Sequence, residues 1–159
     1  MTGRYFEDYA VGQTFGSLRM RVDAERVRSF ASEFDPQPFH LDAAAAARTV
    51  FRGLVASGWH TAAMSMRLFV DGDLKPEGGI VGMGFDEFRW PRPVRPGDEL
   101  RLKSEVLEVR PSSSRPQLGL IKVRTTTLNQ NDEPVQIMVG NLLVRRRPAE
   151  GDGLPEGQS

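Results

Sequence analysis

Ser57-Gly58-Trp59-His60-Thr61-Ala62-Ala63-Met64-Ser65-Met66-Arg67-Leu68-Phe69-Val70 carries one charged residue in fourteen positions. Trp59, Ala62, Ala63, Met66, Phe69 and Val70 surround most of the circumference of a helix drawn on this stretch, and a helix so apolar is expected to be buried. Its surroundings change character on the C-terminal side. Leu100, Leu102, Ser104 and Val106 alternate with charged residues, and the runs Leu118 to Thr127 and Val135 to Val144 are rich in β-branched residues. Turn signals separate them at Pro96-Gly97-Asp98, Pro111 to Pro116 and Asn129 to Pro134. With Gly79 to Arg89, four strands follow the helix, and their short connections predict an antiparallel meander.

Upstream, a first strand is predicted over Gln13 to Val22. Asp23 is suited to cap a helix bearing Val27, Phe30, Ala31 and Phe34 at i, i+3, i+4 and i+7. Pro36 ends that helix, because the residue before proline avoids the α region. A rigid loop, Asp35-Pro36-Gln37-Pro38-Phe39-His40, comes next, and Asp42 caps a short helix through Ala43 to Ala47. The fold class is therefore α+β: one domain over residues 1–147, with a long central helix wrapped by a five-stranded antiparallel sheet and short helices between the first strand and the central one. Residues 148–159, rich in Gly, Pro, Glu and Ser, are expected to form a flexible tail.

Composition removes several classes of function. The 159 residues include 21 basic and 21 acidic side chains, so no general electrostatic attraction to nucleic acid or an anionic membrane exists. Cysteine is absent, which excludes disulfides, thiolate nucleophiles and cysteine metal sites. Two histidines, His40 and His60, are too few for a His-rich metal centre, and no metal is expected. No stretch resembles a signal peptide or a membrane span, and the expected compartment is the cytoplasm.

Three places could carry chemistry. In the Asp35 to His40 loop, a carboxylate and an imidazole lie five residues apart, with two prolines limiting loop freedom. Such a pair can perform both proton transfers of an addition or elimination. The same residues also fit a helix stop with an unrelated surface or core histidine. The second place is the start of the central helix, where unpaired N–H groups face outward and Gly58 has no side chain to obstruct a carbonyl oxygen. That arrangement makes an oxyanion hole, or else serves a turn and close packing. His60 either lines the pocket or is a hydrogen-bonded core histidine, and the two-residue offset from Gly58 favours the core. The third place holds Arg89, Arg92 and Arg95 around a proline-stiffened turn, suited to phosphates or simply to solvent.

Phe30-Ala31-Ser32-Glu33-Phe34-Asp35-Pro36-Gln37-Pro38-Phe39-His40-Leu41-Asp42 resembles the hydratase motif of MaoC-like dehydratases, which runs Asp, any residue, Asn, Pro, an apolar residue, His. Gly53 to Gly58 resembles that family's entry into its central helix, and Phe85 to Asp98 its apolar-Pro-Val-x-x-Gly-Asp strand and turn. The likeness spans roughly Tyr5 to Arg147. It implies the hot-dog fold, with Asp35 and His40 as the catalytic pair and Gly58 as the backbone donor to a thioester carbonyl. Gln37, Ser57 and His60 are expected beside the substrate, and Arg89, Arg92 and Arg95 near coenzyme A phosphates. The sequence departs from the family in three places. Gln37 replaces an Asn, Phe34 replaces a Gly, and a supporting Ser on the central helix falls near Met66, with Ser65 adjacent.

The reaction implied by the resemblance is reversible syn addition of water across a trans-2-enoyl thioester, giving an (R)-3-hydroxyacyl thioester. No separate cofactor is implied. Coenzyme A is the carrier on the substrate, with acyl carrier protein as the other carrier, and a homodimer or dimer of dimers is implied. Hot-dog proteins also include acyl-CoA thioesterases, which place a carboxylate on or beside the central helix. Here the first carboxylate after Gly58 is Asp71, at the helix's far end. A non-catalytic acyl-CoA-binding homologue is the third class, resting on Phe34 and Gln37.

Overall fold

The computed structural model describes residues 3–149, and most of the expected tail lies outside them. After a 3-10 turn at Phe6–Asp8 come two short strands, β1 (Thr14–Gly16) and β2 (Met20–Arg21). Three helices follow: α1 (Ala24–Phe34), α2 (Pro38–Leu41) and α3 (Ala43–Ala46). The central helix α4 spans Gly58–Asp71, and four long strands complete the fold: β3 (Val81–Arg89), β4 (Glu99–Pro111), β5 (Leu118–Leu128) and β6 (Pro134–Arg145).

The sheet has six strands, not the five expected, because the predicted Gln13 to Val22 strand breaks into β1 and β2. Both pair with β4, and between them the Ser17 hydroxyl accepts from the Leu102 N–H at 2.8 Å. That side-chain bond replaces a ladder bond where the backbone leaves the strand. The meander expectation also needs correction. Strands β4, β5 and β6 do form one, but β3 pairs with β6, giving the order β1-β4-β5-β6-β3. The segment between β3 and β4 contains Pro91, Pro93 and Pro96, which lack ladder donors. It crosses the sheet instead of closing a hairpin.

The sheet's inner face carries Leu100, Leu102, Val106, Ile121, Val123 and Val144, all buried against Met64, Leu68 and Phe69 of α4. Leu100 is fully enclosed, and Leu100→Ala is expected to cost about 3 kcal/mol in denaturant unfolding. Polar groups on this face pair internally. Ser65 Oγ meets Thr127 Oγ1 at 2.7 Å, and Ser104 Oγ meets Thr125 Oγ1 at 3.0 Å. Contrary to expectation, α4 is not covered all round. Trp59, Met66 and Val70 are 63%, 43% and 51% exposed, and Trp59 and Met66 border a cleft against Phe85 of β3, itself 59% exposed. No helix among the described residues is long and apolar enough to cross a membrane.

Candidate active site

Helix α1 ends where expected, with Asp35 as its C-cap and its N–H still bonded to the Ala31 carbonyl at 2.9 Å. The predicted loop is partly helical. Pro38 occupies the first turn of α2, where its missing N–H would be unpaired in any case, and His40 sits in the last turn. This one turn swings the imidazole back toward Asp35. His40 Nε2 lies 3.2 Å from Asp35 Oδ2.

His40 is buried, and its Nδ1 is 2.7 Å from the Val55 carbonyl. A carbonyl only accepts, so Nδ1 carries a proton and Nε2 presents its lone pair toward Asp35 when the ring is neutral. The Val55 segment is itself fixed from both sides. Its N–H donates to the Phe39 carbonyl at 3.1 Å, and the Ala56 N–H donates to the Val94 carbonyl at 2.8 Å.

Asp35 has two further donors. Ser57 Oγ donates to Oδ2 at 2.7 Å, and Gln37 Nε2 donates to Oδ1 at 2.5 Å. Burial works against the carboxylate's charge. Hydrogen bonds from Ser57 and Gln37, with the nearby His40, outweigh it, so Asp35 is held below the usual carboxylate range. Ser57 is also the N-cap of α4, accepting from the Trp59 N–H at 3.2 Å. One hydroxyl thus starts the central helix and holds the acid.

These contacts revise several expected roles. Ser57, expected beside the substrate, is fully buried and committed to Asp35. It is the serine that supports the pair, while the Ser65 hydroxyl near Met66 is turned to Thr127. The exposed Gln37 also spends its amide on Asp35. His60 is a core residue, as the offset from Gly58 indicates, but it is stacked instead of hydrogen-bonded. Its ring lies 4.7 Å from Phe30, within 9° of parallel, and its buried Nδ1 has no partner among the described residues. Burial, then the charge of Arg26, lower its pKa and keep it neutral.

A cavity of about 400 Å³ opens beside the pair, lined by His40, Gly58, Thr61, Trp90 and Arg92 among others. Gly58 is the first residue of α4, where the N–H has no carbonyl one turn back. A Cβ there would lie 2.8 Å from three atoms of the Trp90 indole. The glycine is therefore required by an aromatic wall. Of the three arginines, only Arg92 lines the cavity, and it is paired with Glu133 at 3.0 Å. Arg95 is tied to the Phe51 carbonyl at 2.6 Å, and Arg89 to Glu87 at 2.7 Å. Neither is placed as a phosphate ligand by these contacts. Trp90 is a cavity-wall residue that sequence reasoning misses, because its neighbours read as a charged turn. Its signal is an aromatic residue close behind the strand's Phe88.

A family model described as MaoC like domain matches residues 7–129. The chain belongs to the MaoC-like domain family. A solved MaoC-like dehydratase from Rhodospirillum rubrum is 50% identical, with a TM-score of 0.89 covering 92% of this chain and all of that one. The six-stranded sheet around α4 is thus the hot-dog fold of MaoC-like proteins. A 3-hydroxybutyryl-CoA dehydratase from Methylorubrum extorquens is 35% identical over 72% of this chain and 71% of its own length. A mesaconyl-CoA hydratase from Cereibacter sphaeroides is 33% identical over 97% of this chain. This MaoC-like chain spans only 46% of that hydratase.

Proposed function

We propose that this MaoC-like protein catalyses reversible hydration of a trans-2-enoyl thioester, with coenzyme A as the carrier and a (R)-3-hydroxyacyl thioester as product. One observation carries the reading: Asp35 Oδ2 and His40 Nε2 lie 3.2 Å apart, and His40 lines a cavity with Gly58, the first residue of α4. The hydratase and dehydratase names of its relatives support the same chemistry.

In the forward direction, the thioester carbonyl accepts from the Gly58 N–H, which stabilises negative charge as it moves onto that oxygen. Water held by Asp35 and His40 adds its oxygen to Cβ. The pair takes one water proton and returns it to Cα from the same face, giving syn addition. Ser57 and Gln37 keep the carboxylate oriented and ionised, and the Val55 carbonyl fixes the imidazole tautomer. Of the three arginines, Arg92, which lines the cavity, meets a phosphate of the carrier in exchange for its pairing with Glu133. The acyl chain continues into the apolar cleft between α4 and β3. A second copy covers the exposed face formed by Trp59, Met66, Val70 and Phe85.

The deciding assay offers crotonyl-CoA and follows enoyl absorbance and free thiol together. Loss of absorbance without thiol is expected. Thiol release would identify a thioesterase, and tight binding without turnover a non-catalytic homologue. No observation favours the thioesterase, since Asp71 is paired with Arg67 at 2.6 Å at the far end of α4.

Ser57→Ala removes one donor from Asp35, so its pKa rises. The acid limb of kcat/KM is expected to move to higher pH, with the plateau rate falling about tenfold. The corresponding stability sign is fixed by the depressed folded value. Asp35 stabilises the protein above its unfolded pKa, and that contribution is lost as pH falls through the folded one. Gly58→Val drives a side chain into Trp90 and should lower kcat about 10²-fold by displacing the cavity wall. Near-ultraviolet circular dichroism would report the indole's movement.

A further inference from the structure

Thr61 follows Gly58 by three residues in α4, and both line the cavity that His40 borders. Residues at i and i+3 share one face of a helix, and a helical side chain leans over the turn before it. The Thr61 side chain is therefore carried back toward the start of α4, where the Gly58 N–H has no carbonyl one turn back.

The other polar side chains of this cavity's lining are committed elsewhere. His40 is tied to Asp35 and the Val55 carbonyl, Arg92 to Glu133, and the Trp90 Nε1–H to Gln136 Oε1 at 3.0 Å. The other buried hydroxyls are taken too: Ser57 by Asp35, Ser65 by Thr127, and Ser104 by Thr125. Thr61 is 2% exposed, and its backbone N–H donates to the Ser57 carbonyl at 3.0 Å. Its hydroxyl has no partner among the described residues, yet it is not sealed in. The fully enclosed side-chain atoms without a partner among those residues are His60 Nδ1 and Gln136 Nε2. The Thr61 oxygen is not one of them, so it keeps accessible surface, and the open space that Thr61 borders is the cavity of about 400 Å³.

We infer that Thr61 is a catalytic residue whose hydroxyl donates to the thioester carbonyl oxygen alongside the Gly58 N–H. The inference rests on the thioester reading above. As water adds to Cβ, negative charge moves onto that oxygen and two donors share it, with Thr61 keeping its proton throughout. The wall around them is largely apolar, with Phe39, Val55, Trp90 and Val94 in it, so the hydrogen bond strengthens as the charge grows. An interaction that strengthens toward the transition state raises kcat more than it lowers KM.

The test compares Thr61→Val, which is nearly isosteric and lacks the hydroxyl, with Thr61→Ser, which keeps it. With crotonyl-CoA, Thr61→Val is expected to lower kcat about 10²-fold, the range for one oxyanion donor, with KM little changed. Thr61→Ser should keep most of the rate. A wild-type kcat in Thr61→Val, or a Thr61→Ser variant as slow as Thr61→Val, overturns the assignment. A second readout needs no turnover. Butyryl-CoA has no double bond to hydrate, and its carbonyl stretch should move to lower wavenumber on binding. Part of that shift should vanish in Thr61→Val and return in Thr61→Ser, and an equal shift in all three proteins overturns the assignment. If Thr61→Val does not fold, the wild type and Thr61→Ser are compared with Thr61→Ala by the same criteria. If no enoyl-CoA is hydrated but the stretch still depends on Thr61, the hydratase reading fails and the carbonyl donor stands. Failure of butyryl-CoA to bind overturns both.

Discussion

Asp35→Asn is expected to reduce kcat/KM for enoyl-CoA hydration by about 10³-fold or more, the range for removal of a positioned proton-transfer group. The substitution is nearly isosteric. The introduced amide would keep an oxygen for the Ser57 hydroxyl, now 2.7 Å from Oδ2, so the start of α4 is preserved. What disappears is the charge that two donors and the imidazole are arranged to hold. An amide cannot take the water proton. It also turns an NH2 toward either Gln37 or His40, where an acceptor stood before. The loss should therefore fall on kcat with KM little changed, because no contact to the carrier is touched. Unaltered far-ultraviolet circular dichroism with the rate retained would remove Asp35 from the chemistry.

That site was largely visible in the sequence, and for a local reason. Asp35, Pro36, Pro38 and His40 lie within six residues, so their geometry depends on two fixed φ angles and one helical turn. Ser57 was visible only as a helix start. Its bond to Asp35 joins residues 22 apart and appears once α4 is docked against the end of α1. The same limit explains the sheet. Alternation located β4, whose inner face buries every second residue, and β-branched runs between turn signals located β5 and β6. It could not say that β3 would travel to the far edge beside β6, since pairing across an irregular segment is a long-range choice. The short β1 and β2 break at Ser17, where a side chain competes with the ladder. Gln136 carried no signal at all. A glutamine in a strand reads as solvent-facing until its Trp90 partner and its enclosure are known.

The exposed apolar face has a direct consequence. Phe85→Glu places a charge on an edge strand whose neighbours Val81 and Met83 are also exposed. Sedimentation is expected to shift from dimer to monomer, and activity should fall with it, because the cleft proposed for the acyl chain is bordered by Phe85. A monomeric wild type would remove the second copy from the site.

His40→Ala is expected to match Asp35→Asn in size, about 10³-fold or more in kcat/KM, but with a second cost. The imidazole fills a buried position and satisfies the Val55 carbonyl at 2.7 Å. Its removal leaves that oxygen without its donor and a gap beside Phe39, whose ring now lies 4.6 Å from the imidazole. About 2–3 kcal/mol of stability should be lost in denaturant unfolding. The rate loss and the stability loss are separable through the double variant. Asp35 and His40 are 3.2 Å apart, and in the proposed mechanism they handle one proton between them, so removing either should disable the unit. Asp35→Asn combined with His40→Ala should be barely slower than the worse single variant, whereas independent roles would multiply to about 10⁶-fold. Stability changes need not follow that pattern, since the Val55 carbonyl loses its donor only with the imidazole. A multiplicative rate loss would mean that the two side chains act at different steps, and that the shared-proton mechanism is wrong even if both residues are essential.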